Sequence, residues 1–184
     1  CRQGWAFASC GGALVLAACV PGVAAAEQVP WGAGCETVPP GLQRTSANCG
    51  AELDRGRAIP PPGAPAAVKA AIAAANRINH KPYVWGGGHL SWRSRGYDCS
   101  GAVGYVLHAA GLLEQTVVSG QLESWGEAGI GRWITVYANA EHTYVVIAGL
   151  RFDTRDDPPG VSGPRWHMGS VDGKKFVARR PAGL

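Results

Sequence analysis

The clearest periodic pattern of hydrophobic residues lies in the middle of the chain, directly after a proline-rich stretch. Between Ala66 and Asn79 the apolar residues recur every three or four positions, which is the spacing of one face of an α-helix. These residues are Val68, Ala71, Ile72, Ala75 and Ile78. Pro65 precedes the segment and Pro82 follows it, so both ends carry residues that limit a helix. The pattern predicts a helix over 66–79 that serves for packing.

A second helical pattern follows a glycine-rich segment, Gly86–Gly88, and runs from Asp98 to Gly111. Its apolar positions are again three and four apart: Val103, Val106, Leu107 and Ala110. Asp98 or Cys99 would therefore be the N-cap or lie in the first turn. Since the free N–H groups and the dipole at a helix N-terminus favour a thiolate over a thiol, this position would activate Cys99. The alternative is that Cys99 is a small buried hydrophobic residue, as most free cysteines are.

The C-terminal part of the chain changes from helical to strand-like patterns. Two segments rich in Val, Ile, Tyr and Thr predict neighbouring strands, a tight turn at Gly149–Leu150 leads into a third, and a Pro/Gly loop over 158–163 precedes the last. The predicted strands are Trp133–Ala138, His142–Ala148, Arg151–Thr154 and Lys174–Arg180. Because the helices precede the strands rather than alternate with them, the fold class is α+β with an antiparallel sheet.

Residues 1–26 are typical of a secretory signal peptide. One positive charge, Arg2, precedes an apolar stretch that is broken by glycines and Pro21, and three alanines end at Ala26. The uninterrupted apolar part is shorter than the roughly 20 residues that a membrane-spanning helix needs. Leu16–Cys19 also resembles the lipobox of bacterial lipoproteins. Cleavage after Ala26 and lipidation at Cys19 are alternatives, and both predict a protein exported to the cell surface or cell wall.

Residues 27–65 are predicted to be a proline-rich lead-in to a domain over 66–184. The run Pro60–Pro65 favours an extended spacer, and no sustained apolar period is present. Cys35 and Cys49 lie among polar turn formers, and an exported chain meets an oxidising environment. We therefore expect a disulfide between them.

The composition narrows the function classes. Of the 184 residues, 46% are hydrophobic and 16% are charged, which indicates a folded domain rather than a disordered chain. The net charge is +4 without a block of basic residues, which disfavours a nucleic-acid binder but is compatible with attraction to an anionic polymer. No metal-ligand spacing occurs, so neither a metal nor another cofactor is expected.

His142 is the second candidate for chemistry. It opens a strand whose other residues are mostly apolar, a position where a hydrogen-bonded core histidine is the ordinary interpretation. Together with Cys99, however, it offers the thiolate and imidazolium that nucleophilic acyl transfer uses, and such a pair needs a third polar group to hold the ring.

Several segments together resemble the NlpC/P60 family of bacterial cell-wall cysteine peptidases. The resemblance rests on Pro82-Tyr83-Val84-Trp85-Gly86-Gly87, on Tyr97-Asp98-Cys99-Ser100-Gly101, and on His142 with its apolar strand, and it covers about residues 66–180. It implies a papain-like fold with N-terminal helices packed on an antiparallel sheet. It also implies hydrolysis of peptide bonds in peptidoglycan stem peptides, most often between D-glutamate and a diamino acid.

The same resemblance assigns roles by position. Cys99 would be the nucleophile and His142 the general base, while Tyr83, Asp98 and Ser100 would bind substrate. Alternatives that share the fold are an amidase that cuts the sugar–peptide junction, a transferase that uses the same acyl-enzyme, and a non-catalytic wall-binding module.

The sequence departs from the family pattern at three places. Arg132 stands where the family has Asp before its histidine strand, and residues 88–96 form an insert. The third polar residue, commonly a histidine about a dozen positions after the first, is missing.

We predict Asp153 for that third role, with Thr154 and Asp157 as alternatives, because a carboxylate both accepts from imidazole N–H and stabilises the imidazolium. A turn at Gly149–Leu150 would place Asp153 opposite Val146 and Asp157 opposite His142. In a flat hairpin Asp153 would then lie about 13 Å from His142, so this prediction requires strong coiling.

Overall fold

Two long helices pack against one antiparallel sheet in the computed structural model, which describes residues 50–155, 161–168 and 175–184. Helix α1 spans Ala66–Ile78, α2 spans Cys99–Ala109, and the single-turn α3 spans Ser119–Leu122. The α+β class predicted from the order of the elements is confirmed.

Within the described residues, eight strands accompany these helices: β1 (Glu52–Asp54), β2 (Arg57–Ile59), β3 (Glu127–Ala128), β4 (Ile134–Ala138), β5 (Thr143–Ile147), β6 (Leu150–Asp153), β7 (Arg165–His167) and β8 (Val177–Arg180). Strands β1 and β2 form a separate hairpin, and the others form a six-stranded sheet in the order β3-β8-β4-β5-β6-β7. Every neighbouring pair in that sheet is antiparallel. The sequence patterns did not reveal the short strands β3 and β7.

The hydrophobic core lies between the helices and the sheet. The apolar face of α1 that the sequence predicted is buried, and Val103, Val106 and Leu107 of α2 are buried beside it. From the sheet, Ile134 and Val136 of β4 and Val145 and Ile147 of β5 complete the core with no exposed surface. This packing fixes the start of α2 against β5.

A β-hairpin lies in the segment that the sequence predicted as an irregular lead-in. Arg55 and Gly56 turn the chain with φ of 46° and 77°, a two-residue turn whose left-handed conformation suits adjacent twisted strands. Asn76 of α1 pairs with the backbone of Ala58, accepting from its N–H at 3.0 Å and donating to its carbonyl at 2.8 Å. The hairpin is therefore joined to the domain and is not a free spacer.

The turn between β5 and β6 differs from the predicted one by one residue. Ala148 and Gly149 form it, with φ of 46° and 85°, and Ile147 pairs with Leu150. Val146 consequently faces Arg151 rather than Asp153, so the predicted register was wrong. A one-residue shift of a turn moves the pairing by two residues, which keeps each side chain on its face but brings Asp153 closer to the start of β5.

The predicted signal peptide 1–26, the lipid-attachment candidate Cys19 and the Cys35–Cys49 disulfide lie outside the described residues. In the part of the chain that the structure describes, no helix combines the length and apolar character needed to cross a membrane.

Candidate active site

Cys99 is the first residue of α2, and Asp98 is its N-cap. The Asp98 carboxylate accepts a hydrogen bond from the backbone N–H of Gly101 at 2.7 Å, which satisfies one of the free donors of the first turn. Cys99 is a free cysteine and is buried, with 9% of its surface exposed. Its position at the positive end of a helix favours the thiolate, as the sequence pattern indicated.

The glycine-rich segment packs directly on this helix start. The Asp98 N–H donates to the carbonyl of Gly87 at 3.2 Å. A Cβ atom at Gly101 would lie 1.9 Å from the same carbonyl oxygen, so only glycine permits this approach. The glycines on both sides of the contact thus bring the 86–88 segment, and Tyr83 before it, next to Cys99.

His142 and Asp153 form the ion pair of the site. His142 Nε2 donates to Asp153 Oδ1 over 2.8 Å, and the Asp153 side chain has no exposed surface. The register of β5 and β6 explains the contact. Val145 pairs with Phe152, so the next residue of β6, Asp153, lies opposite Tyr144. Tyr144 is two residues from His142, so the His142 and Asp153 side chains lie on the same face of the sheet. The strong coiling that the predicted register required is therefore unnecessary.

Other contacts hold the Asp153 carboxylate in place. Its Oδ1 also accepts from the Arg155 N–H at 3.1 Å, and its Oδ2 accepts from the buried Arg151 guanidinium at 3.4 Å. The alternative partner Thr154 makes no hydrogen bond to His142, because its buried hydroxyl has no hydrogen-bond partner within the described part of the chain. Asp157, the other alternative, lies outside the described residues.

The titration behaviour follows from these contacts. Burial opposes the charged form of all three groups, but the hydrogen bonds and opposite charges outweigh it. Hydrogen bonds to Asp153 and Cys99 raise the pKa of His142 to about 9. Hydrogen bonds from His142 and Ser119, together with the His142 charge, lower the pKa of Cys99, and His142 and Arg151 lower the pKa of Asp153. The arrangement favours a thiolate–imidazolium pair at neutral pH.

Tyr83 lies beside this pair. It forms an isolated parallel bridge with Tyr97, directly before Asp98 and Cys99 in the chain. Burial raises the pKa of Tyr83, and the negative charges of Cys99 and Asp98 raise it further. Its phenol therefore stays protonated and can act as a hydrogen-bond donor next to the thiolate.

A second histidine, His89, occupies the other side of the helix start, and no sequence signal pointed to it. Its Nε2 lies 3.0 and 3.1 Å from the two carboxylate oxygens of Asp98 and 3.2 Å from the Ser100 hydroxyl. One nitrogen serves both partners, so this cluster does not have the two-sided arrangement of a Ser-His-Asp triad. Asp98 also accepts from the Gly86 N–H at 3.0 Å, so the cluster ties the glycine-rich segment to α2.

Ser119, at the start of α3, is the other residue that sequence reasoning missed. Its hydroxyl oxygen lies 3.4 Å from Cys99 Sγ. Nothing in the local sequence marks this serine, because the contact joins residues 20 positions apart. Within the described residues, no group of His, Cys, Asp or Glu side chains could hold a metal ion.

The site thus combines a cysteine at a helix start with a histidine directly before β5 and an aspartate at the end of β6. Protein-family models give no match for the sequence, and no curated protein matches it significantly. Among solved structures, the peptidoglycan hydrolase RipB from Mycobacterium tuberculosis aligns with a TM-score of 0.51 and 24% identity, over 66% of this chain and 68% of RipB.

Two further structures align less closely. An NlpC/P60 family protein from Bacillus cereus has a TM-score of 0.48 and 20% identity, over 68% of this chain but only 42% of its own. RipD from M. tuberculosis, a non-catalytic NlpC/p60 domain protein adapted to peptidoglycan binding, has a TM-score of 0.48 and 16% identity, over 64% of this chain and 98% of its own. The similarity to RipB means that the chain has the NlpC/P60 fold, as its sequence motifs predicted.

Proposed function

We propose that the protein is a cysteine peptidase that hydrolyses peptide bonds in peptidoglycan stem peptides outside the cytoplasm. The observation that supports the proposal is that Cys99, His142 and Asp153 lie together in one site on an NlpC/P60 fold. The substrate class rests on that fold and on the motifs around Tyr83 and Cys99. The bond between D-glutamate and a diamino acid is the proposed point of cleavage, and residues 1–26 are proposed to direct export.

In the first step the Cys99 thiolate attacks the carbonyl carbon of the scissile bond. The oxygen then carries negative charge, which we expect the N–H of Cys99 and the Tyr83 phenol to stabilise by donating hydrogen bonds. His142 is protonated at neutral pH, so it can give its proton to the leaving amine. The products are a thioester with Cys99 and a free amine.

In the second step water hydrolyses the thioester. His142, now neutral, takes a proton from the water as it attacks, and the thiolate leaves with the imidazolium restored. Because Nε2 of His142 is engaged by Asp153, Nδ1 is the nitrogen that serves Cys99 and the water. Asp153 stabilises the imidazolium and fixes the orientation of its ring.

The test is digestion of purified peptidoglycan by the full chain, followed by mass spectrometry of the soluble products. We expect fragments with a new amino terminus on the diamino acid, and Cys99→Ala should release none. Release of intact stem peptides from the sugar would instead identify an amidase. Binding to the polymer without any soluble product, in wild type and Cys99→Ala alike, would identify a non-catalytic binding module and refute the peptidase proposal.

A further inference from the structure

Ser119 has a buried hydroxyl whose hydrogen bond goes to the nucleophile. The residue is 6% exposed, and Cys99 Sγ at 3.4 Å is the partner of its side chain in the described part of the chain. A buried hydroxyl normally bonds to backbone or to another polar side chain, because leaving it without a partner is unfavourable. Here the bond is directed to a sulfur atom, which is otherwise a weak partner when it is a neutral thiol.

The protonation state of Cys99 decides the direction of the bond. A thiolate has no proton to donate, so in that state the Ser119 O–H is the donor and the sulfur is the acceptor. A hydrogen bond to a charged acceptor is about twice as strong as a neutral one. The contact therefore stabilises the thiolate more than the thiol.

Packing keeps Ser119 at this place. Leu122, in the same turn of helix, is fully buried in the core, and Val117 packs against the core from the preceding segment. Hydrophobic contacts on both sides of Ser119 thus hold its hydroxyl at a fixed position next to Cys99. The hydroxyl oxygen is therefore already in place, and only its hydrogen has to turn towards the sulfur when the thiolate forms.

We propose that Ser119 is a further catalytic residue, which donates a hydrogen bond to the Cys99 thiolate from α3 and increases the fraction of the nucleophile that is ionised. The proposal rests on the proposed function in taking Cys99 as the nucleophile. It adds α3 to the elements of the site, since α2 supplies the thiol, His142 lies directly before β5, and β6 supplies Asp153.

The rate of iodoacetamide alkylation of Cys99 against pH tests the proposal. The full chain is used, and peptide mass spectrometry separates Cys99 from the other cysteines. In Ser119→Ala we expect the rising limb to move to higher pH, with ~10-fold slower alkylation on the acid side of the profile. Ser124→Ala is the matched control, because that exposed hydroxyl bonds to the Gln121 carbonyl three residues before it and not to Cys99, so the profile should be unchanged.

If the alanine variant unfolds, the variants Ser119→Thr and Ser119→Val provide the test instead. The two side chains have the same shape, and only Thr retains the hydroxyl, so packing effects cancel in the comparison. We expect Thr to keep the wild-type profile and Val to lose it. Identical profiles for Thr and Val, or for wild type and Ser119→Ala, would overturn the role of Ser119. A shifted profile in a protein that hydrolyses no peptidoglycan would support Ser119 while refuting the proposed function.

Discussion

At the scale of single residues, the contact between His142 and Asp153 determines the chemistry that the site can perform. The buried Asp153 carboxylate holds the ring through Nε2 at 2.8 Å. A neutral amide at this position would support a different tautomer and would not stabilise the imidazolium. The catalytic role that we propose for Asp153 can therefore be tested separately from a structural role by a substitution that preserves the shape of the side chain.

We expect Asp153→Asn to lower kcat on muropeptides by ~10²–10⁴-fold while the protein remains folded. Thr154→Val is the control, because the Thr154 hydroxyl has no hydrogen-bond partner among the described residues and its loss should change kcat by less than about 2-fold. Steady-state kinetics and circular dichroism of both variants provide the measurement. Near-normal turnover by Asp153→Asn would eliminate Asp153 as the third catalytic residue.

The pH profile of kcat/KM is a second prediction at this scale. In the proposed mechanism the active form has Cys99 ionised and His142 protonated. Activity should rise as the pH increases through the lowered pKa of Cys99, and it should fall as His142 loses its proton near pH 9. The Asp153→Asn variant should lose activity at a lower pH on the alkaline side, since it lacks the charge that raises the pKa of His142. An alkaline limb unaffected by this substitution would contradict the assignment.

At the scale of elements, local patterns predicted the helices better than the connections between them. The 66–79 helix and the helix start at Cys99 follow from apolar spacing and from an N-cap residue, both of which are local signals. The turn at Ala148–Gly149 was misplaced by one residue because Gly149 alone marks it, and the buried Ala148 adopts a left-handed φ that nothing in the sequence announces. Because of this one-residue error, the predicted register placed Asp153 far from His142, whereas in the structure the two side chains are hydrogen-bonded.

The remaining parts of the site depend on contacts between elements that are distant in the sequence. Ser119 meets Cys99 across 20 residues, and no spacing rule connects a single-turn helix to a nucleophile. His89 lies in an insert where the family motif gives no guidance. Tertiary packing, rather than propensity, places both residues, so only a three-dimensional structure could reveal them.

The contact between the glycine-rich segment and α2 leads to a prediction at the element scale. Gly101→Ala should destabilise the protein by about 1–3 kcal/mol, because its Cβ would lie 1.9 Å from the Gly87 carbonyl oxygen, and that segment or the helix must shift. Gly104→Ala, in the same helix, should be neutral or stabilising by about 1 kcal/mol, because its Cβ would meet Trp92 at an ordinary 3.5 Å. Urea unfolding measures both. Equal stability of the two variants would mean that the close approach does not exist in solution.

At the scale of the whole molecule, the hairpin of β1 and β2 extends the folded unit beyond the predicted start at residue 66. Ala58 is buried, and three hydrogen bonds join the hairpin backbone to the side chains of Asn76 and Asn79, of which Asn76 accepts one and donates one and Asn79 donates the third. The Ala51 N–H also donates to the Ala148 carbonyl at 2.8 Å, next to the turn that sets the β5–β6 register. The hairpin is thus connected, through that turn, to β5, which follows His142 directly, and to β6, which ends at Asp153.

A chain of residues 66–184 should therefore be less stable than one of residues 50–184, by about 3–5 kcal/mol, since it loses these hydrogen bonds and the burial of Ala58. In the longer chain Asn76→Ala should account for part of the difference. In the shorter chain the same substitution should cost much less, because its partner in β2 is gone while the bond from the Trp166 indole remains. Urea unfolding of the four proteins measures this non-additivity. If Asn76→Ala costs the same in both chains, the hairpin does not pack on α1 as described, and the domain begins at residue 66.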